Sequence, residues 1–138
     1  SLTVSETEHE RHLSRITIVT RGTPHVLEQI KNQLERIVPV HRVVDLTVVA
    51  RERGQERPLV RELAMVKVAG TGDNRVEALR LADAFRAQVI DANTEHFIFE
   101  ITGRVSKIEQ FISIMKPLGV VEVCRTGVAA MNRGAEKM

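Results

Sequence analysis

The order of apolar patterns between residues 62 and 125 constrains the fold more than any other feature of this sequence. Four segments have the alternating, β-branched composition of strands, and two have the periodicity of amphipathic helices. In chain order they are strand 62–69, helix 75–87, strands 88–92 and 95–102, helix 105–116 and strand 120–125. This βαββαβ order predicts a ferredoxin-like domain, in which an antiparallel sheet of strand order 4-1-3-2 carries two helices on one face.

The first fifty residues have a shorter version of the same pattern. Thr23 and Pro24 are a helix cap and first-turn residue, and Ile16 and Ile18 are expected to face inward from their strand. The predicted elements are the end of a strand at 2–4, a polar connection at 5–14, a strand at 15–20, a helix at 24–38 and a strand at 40–49. This β, β, α, β order is the ferredoxin-like plan without its opening strand and helix. The strands at 15–20 and 40–49 would then flank an empty slot with unpaired backbone groups.

The charged stretch at 50–60 contains Gly54 and Pro58 and is the best candidate for a domain boundary. We therefore predict a partial domain at 1–50, a linker at 51–61 and a second domain at 62–138, with a frayed end from residue 134. The fold class that follows is α+β, with two ferredoxin-like domains of which only the second is complete.

Composition excludes several classes of protein. The net charge of +2 is too small to indicate a nucleic-acid partner, and Trp and Tyr, which stack on bases, are absent. No apolar run approaches the roughly 20 residues that a membrane helix needs. The single cysteine, Cys124, excludes an intrachain disulfide framework and fits the reducing cytosol, so we predict a cytoplasmic protein in which Cys124 is a small buried side chain.

No set of residues indicates catalysis or metal binding. His9 and His12 lie among glutamates, but in a predicted loop without a second ligand cluster. His41 and Asp45 would share one strand face, but no nucleophile accompanies them. The glycine-containing turn at 70–74 lacks the spacing of a phosphate loop. We therefore predict no catalytic residue, no metal site and no turnover by this chain alone.

Several separated segments carry a family resemblance. In chain order they are SLTV, LSRITIVTRG, VLEQIKNQLERIVPVHRVVDLT, RELAMVKV, AFRAQVIDAN, KIEQFISIMKPLG and VVEVCRTGVAAMNRG. Their order and spacing over nearly the whole chain resemble the small regulatory subunit of acetohydroxyacid synthase, also called acetolactate synthase. The chain as written lacks an initiator Met, and the resemblance implies an N-terminal truncation.

The resemblance implies both a fold and a role. The fold would be an ACT domain lacking its first strand and helix, followed by a second ferredoxin-like domain. The role would be to bind and activate the catalytic large subunit, and to mediate feedback inhibition by valine in branched-chain amino acid biosynthesis. This chain would hold no cofactor, whereas the catalytic partner would hold thiamine diphosphate, Mg and FAD. ACT domains of this family pair edge to edge, which implies a homodimer.

The resemblance also places an effector site. Its glycine-containing turn is absent from the chain as written, so we expect this chain to activate the partner without valine sensitivity. Thr3, Ser5 and Gln29 match positions near that site. The residues alone favour a different interpretation, in which Thr3 and Ser5 are strand-edge residues and Gln29 is a solvated helix position.

The predicted linker is rich in arginine, with Arg51, Arg53, Arg57 and Arg61. These residues are either a solvated linker or a surface for protein contact, for which the forked guanidinium is well suited. A stand-alone ACT-like module for small-molecule sensing or oligomerisation is the alternative function, and a small enzyme on this scaffold is disfavoured because no catalytic residues are found.

Overall fold

The computed structural model describes residues 2–6 and 13–136 and divides the chain into two compact units. The first unit comprises Ser1–Leu59 and Ala130–Met138, and the second comprises Val60–Ala129. The helices and strands, in chain order, are β1 (Leu2–Glu6), β2 (Ser14–Ile18), α1 (Pro24–Glu35), α2 (Leu46–Glu52), β3 (Leu59–Ala69), α3 (Asp73–Ala84), β4 (Gln88–Ala92), β5 (His96–Gly103), α4 (Val105–Gly119) and β6 (Val120–Met131). The α+β class is confirmed.

The second unit has the complete ferredoxin-like plan. Its sheet has the order β4-β5-β3-β6, and β5 pairs antiparallel with both β3 and β4. Numbered within the unit, this order is the predicted 4-1-3-2 arrangement read from the opposite edge. The six predicted elements therefore all form, and β4 has the predicted bounds.

The core of the second unit lies between one face of this sheet and the two helices. Val66 of β3 lies directly opposite Phe99 of β5, and neither is exposed to solvent. The Phe99 ring meets the Phe111 ring of α4 edge to face, with 6.1 Å between centroids. The other buried members of this core are Ala64, Val68, Ala78, Ala82, Phe97, Ile101, Ile108 and Met115. Alternate strand residues thus supply one wall and the apolar stripes of the helices supply the other.

The turn from α4 into β6 depends on a glycine. Gly119 has a φ of +112°, and a Cβ at this position would collide with the carbonyl oxygen of Ala69. The helix reaches Gly119 rather than ending at Lys116 as predicted, and Pro117 lies inside its last turn.

The described residues of the first unit form an antiparallel hairpin and two helices. In the β1–β2 hairpin, Leu2 pairs with Ile18 and Val4 pairs with Ile16. The predicted start of α1 is confirmed, since the Thr23 side chain accepts a hydrogen bond from the Val26 amide. The helix ends at Glu35 rather than at the predicted residue 38.

The predicted strand at 40–49 is wrong. Residues 40–45 have no regular structure, and α2 begins at Leu46. Oδ1 of Asp45 accepts hydrogen bonds from the amides of Thr47 at 3.0 Å and Val48 at 3.2 Å. This cap satisfies amides that would otherwise lack partners in the first turn, and it favours a helix although the segment is rich in valine. The expected pair of strands around an empty slot is therefore also wrong.

Candidate interaction surface

One face of the β1–β2 hairpin is apolar and open. Leu2, Val4, Ile16 and Ile18 lie on the same face because they form two directly opposed pairs. Their exposed fractions are 61, 59, 54 and 48 % in that order. The prediction that Ile16 and Ile18 face inward is wrong, since no element that the structure describes covers this face. We call these four residues the open hairpin face.

The opposite face of the hairpin carries two of the predicted effector residues. Thr3 lies across from Thr17 and is half-buried, and its Oγ1 is buried without a hydrogen-bond partner. Ser5 is exposed and lies across from Arg15, whose Nη2 donates to the carbonyl oxygen of Ala130 at 2.7 Å. The structure thus places Thr3 and Ser5 on one face, while their role in binding an effector stays a prediction.

The third predicted effector residue, Gln29, lies on α1. Its Nε2 is 3.3 Å from Nε2 of His25, one turn earlier in the helix. The apolar stripe of α1 is only half-buried at Leu27, Ile30 and Leu34, and the helix has no fully buried residue. The first unit therefore offers apolar surface on its helix as well as on the open hairpin face.

The four linker arginines do not share one environment. Arg53 forms an ion pair with Glu136 at 2.8 Å, and Arg61 donates to its neighbouring backbone carbonyl, that of Val60, at 2.7 Å. Arg51, in the last turn of α2, and Arg57 are exposed. Arg51, Arg53 and Arg57 belong to the first unit, whereas Arg61 belongs to the second.

Sequence reasoning missed the contacts of the C-terminal segment. The segment was expected to fray from residue 134, but Arg133 pairs with Glu56 at 3.4 Å and Glu136 pairs with Arg53. Gly134 lies against the Gln55 side chain. The available signal was the pair of opposite charges three residues apart in each segment, but nothing in the sequence connects two segments about eighty residues apart.

The other residues considered for chemistry have ordinary roles or lie outside the described residues. Asp45 caps α2 instead of sharing a strand with His41, which is exposed. Gly72 is the positive-φ residue at which α3 begins, as expected for a turn before a helix. Cys124 is exposed, so the prediction that it is buried is wrong; β6 is the edge strand of its sheet. His9 and His12 lie outside the described residues.

Two further features of the second unit were not predicted. An open groove of about 540 Å³ runs beside α4 and is lined by Phe85, Ser106, Glu109, Gln110, Ser113 and Ile114.

At the junction of β3 and β6, Arg125 forms a forked pair with Glu62, with N–O distances of 2.6 and 3.0 Å. This hydrogen bonding to Glu62 raises the pKa of Arg125. Over residues 2–6 and 13–136, no group of His, Cys, Asp and Glu could hold a metal ion.

Comparison with known proteins identifies the family. The family model for the small subunit of acetolactate synthase matches residues 61–134. A probable acetolactate synthase small subunit of Archaeoglobus fulgidus is 37 % identical over 137 residues, which cover 99 % of this chain and 80 % of that protein. The chain belongs to the acetolactate synthase small-subunit family. The resemblance drawn from the separated sequence segments is thereby confirmed.

Other members of the family match over similar lengths. The small subunit of Aquifex aeolicus is 39 % identical, and the match covers 96 % of this chain and 65 % of that protein. The isozyme 3 small subunit of Escherichia coli is 37 % identical, with 100 % and 80 % covered. The crystal structure of the Thermotoga maritima small subunit superposes with a TM-score of 0.84 at 35 % identity, covering 99 % of this chain and 80 % of that one.

No helix in the described part of the chain is long and apolar enough to cross a membrane.

Proposed function

We propose that this chain is a regulatory subunit that binds and activates the catalytic large subunit of acetolactate synthase. Its relatives are named small subunits of that enzyme, which implies a larger partner. The single observation that carries the proposal is the match to these small subunits over nearly the whole chain, and we assign the contact to the open hairpin face because its four aliphatic side chains are about half exposed.

The size of this surface sets what else must contribute. Burying the remaining exposed half of four aliphatic side chains contributes about 1 kcal/mol each, or about 4 kcal/mol in total. Association costs at least about 4 kcal/mol in lost translational and rotational freedom. The open hairpin face alone would therefore bind weakly, and the half-buried stripe of α1 must extend the contact.

Polar contacts would set the orientation of the partner. Arg51 and Arg57 are exposed on the first unit, and a guanidinium can bind a carboxylate through two parallel hydrogen bonds. We propose that these arginines and Arg53 meet acidic side chains of the large subunit. Arg61 belongs to the second unit, so any contact that it makes with the large subunit would be a separate one.

The chemistry would belong to the partner. We propose that the large subunit holds thiamine diphosphate, Mg and FAD and carries out catalysis, and that this chain acts by stabilising the active state of that subunit. The purified chain alone should produce no acetolactate from pyruvate. Steady production by the chain free of large subunit would contradict this assignment.

Feedback by valine is the second part of the proposal. Where the glycine-containing turn of the family is present, valine or a related branched-chain amino acid would bind near Thr3, Ser5 and Gln29, at an interface between two copies. Thr3 supports this, since its hydroxyl is buried without a partner and could bond a polar group of a ligand. Replacing Thr3 with Val in a subunit that carries this turn should raise the valine concentration needed for half-inhibition of the reconstituted enzyme, whereas an unchanged value would remove Thr3 from the site.

The experiment that tests binding is a pair of matched variants. Val4→Ser with Ile16→Ser makes the centre of the open hairpin face polar, and we expect at least a tenfold weaker Kd for the large subunit by calorimetry, or about 1.4 kcal/mol. Val76→Ser is the control, because Val76 is 67 % exposed on α3 of the second unit. If the double variant remains folded and binds as tightly as the Val76→Ser control, the proposed surface is wrong.

A further inference from the structure

The C-terminal segment Ala130–Glu136, here called the tail, is attached to the first unit at several points. Nη2 of Arg15 donates to the Ala130 carbonyl oxygen at 2.7 Å. Arg133 pairs with Glu56 at 3.4 Å, and Glu136 pairs with Arg53 at 2.8 Å. All of these residues belong to the same compact unit, so the tail closes back onto the part of the chain that precedes β3.

The order of charges fixes how the tail lies. Arg53 and Glu56 are three residues apart, and so are Arg133 and Glu136. An antiparallel alignment places each cation opposite an anion, as observed. A parallel alignment would place Arg53 opposite Arg133 and Glu56 opposite Glu136, and like charges repel. The four residues thus specify one docked arrangement of the tail.

The docked arrangement is weakly held. The side chains of Arg53 and Glu136 are 37 and 70 % exposed, and those of Arg133 and Glu56 are 42 and 81 % exposed. Ion pairs so open to solvent contribute little net stability, because water and salt screen them. A carboxylate presented by a larger complementary surface can therefore replace Glu136 at Arg53.

We propose that the tail is a displaceable cover for Arg53. In the free subunit Glu136 occupies the Arg53 guanidinium, and on assembly an acidic side chain of the catalytic large subunit takes its place and releases the tail. The inference rests on the proposed function, since Arg53 is among the arginines assigned to that contact. Only subunits in which Glu136 has left Arg53 can bind the partner at this point. The apparent affinity is therefore the intrinsic affinity multiplied by the fraction of such subunits.

The docked tail is tested first in the free subunit. Glu136→Gln removes the charge of the cover, and Glu77→Gln is the matched control, because Glu77 forms an exposed pair with Arg80 in the second unit. Hydrogen exchange in the tail and at 50–56 should be about 2- to 5-fold faster in Glu136→Gln, as expected for loss of an exposed ion pair. If the tail and residues 50–56 exchange at the same rates in Glu136→Gln and in Glu77→Gln, the proposal that the tail covers Arg53 is wrong.

Release by the partner is tested by titration with the purified large subunit. Glu136→Gln should bind about 2- to 5-fold tighter than the natural chain, and Arg53→Gln should bind more weakly. The double variant Arg53→Glu with Glu136→Arg exchanges the two charges and keeps the ion pair. Its tail should exchange hydrogen at the natural rates, but it should bind the large subunit more weakly. This variant therefore separates docking of the tail from contact between Arg53 and the partner.

The outcomes distinguish this inference from the proposed function. Faster exchange in Glu136→Gln without tighter binding would overturn release, although the tail would still be docked. If the natural chain does not bind the large subunit at all, the proposed function fails and release fails with it, while the exchange experiment still decides whether the tail is docked.

Discussion

Two apolar pairs, one in each unit, show how differently the same local pattern can be used. Val66 and Phe99 face each other across antiparallel strands of the second unit, and both are fully buried. Val4 and Ile16 face each other in the same way in the first unit, and they are 59 and 54 % exposed. The pairs differ in their surroundings, because two helices cover the first pair and no described element covers the second. A strand pattern therefore specifies a face, and the presence of covering elements decides whether that face is buried or exposed.

The comparison extends to whole units. All buried apolar residues of the second unit except Val128 form one contiguous core between its sheet and its helices. Among the described residues of the first unit, only Ala50 is a buried apolar residue. The buried apolar side chains that stabilise the described part of the chain therefore lie almost wholly in the second unit.

The largest expected effect comes from truncating one side chain in each unit. Phe99→Ala should lower the free energy of unfolding by about 3–5 kcal/mol, because it removes a fully buried ring and leaves a cavity. Ile16→Ala should change the free energy of unfolding by no more than about 0.5 kcal/mol, since half of that side chain is already in water. Urea denaturation measures both. If Phe99→Ala and Ile16→Ala lower the free energy of unfolding by comparable amounts, the two units do not differ in how their apolar side chains contribute to stability.

The next effect concerns the one buried charge of the second unit. Glu62 is only 5 % exposed, and Arg125→Ala would leave its carboxylate without a partner. We expect a loss of about 2–3 kcal/mol, less than for a fully buried pair because Arg125 itself reaches solvent. Lys67→Ala is the control, since its pair with Glu122 is exposed and should contribute at most about 1 kcal/mol. Equal losses in the two variants would show that burial does not set the strength of these pairs.

In the first unit, a helix cap should matter more than any apolar contact on the open hairpin face. Asp45→Ala removes both hydrogen bonds to the start of α2 and should cost about 0.5–2 kcal/mol. Amide exchange at Thr47 and Val48 should accelerate first. Unchanged exchange at these amides would mean that the cap does not determine the helix, and that another cause must explain the absence of the strand predicted there.

The smallest effect is a pH dependence on the surface of α3. The hydrogen bond from Arg80 lowers the pKa of Glu77 below its ordinary value of 4.5. Its contribution to stability is therefore present above pH 4.5 and is lost as the pH falls through the lowered pKa of the folded state. An NMR titration should place the midpoint of Glu77 below that of the same residue in an Arg80→Gln variant. Identical midpoints would contradict the assigned cause.

The sequence predicted the second unit well because β3, β5 and α4 each bury the side that their apolar pattern indicates. The segment 40–49 was mistaken for a strand because its valines favour strands, whereas two hydrogen bonds to Asp45 decide the local structure. The direction of Ile16 and Ile18 could not be read from alternation, which gives two faces without saying which one is covered.

The candidate site was less predictable than the fold. Periodicity gives no information on ion pairs between distant segments, so Arg53–Glu136 and Arg133–Glu56 were missed although their charges are visible in the sequence. The exposure of Cys124 follows from its place on the edge strand β6, which depends on tertiary structure. The family resemblance supplied Thr3, Ser5 and Gln29, and the structure adds the unpaired hydroxyl of Thr3.

Hydrogen exchange with and without the catalytic large subunit tests the central claim most directly. In the free chain, the amides of β3 and β5 should exchange slowly and those of β1 and β2 quickly, because only the former pair lies over a buried core. Adding the large subunit should slow exchange in β1, β2 and α1 and leave β3 and β5 unchanged. Protection confined to the second unit, with β1 and β2 as fast as in the free chain, would contradict the assignment of the first unit as the binding surface.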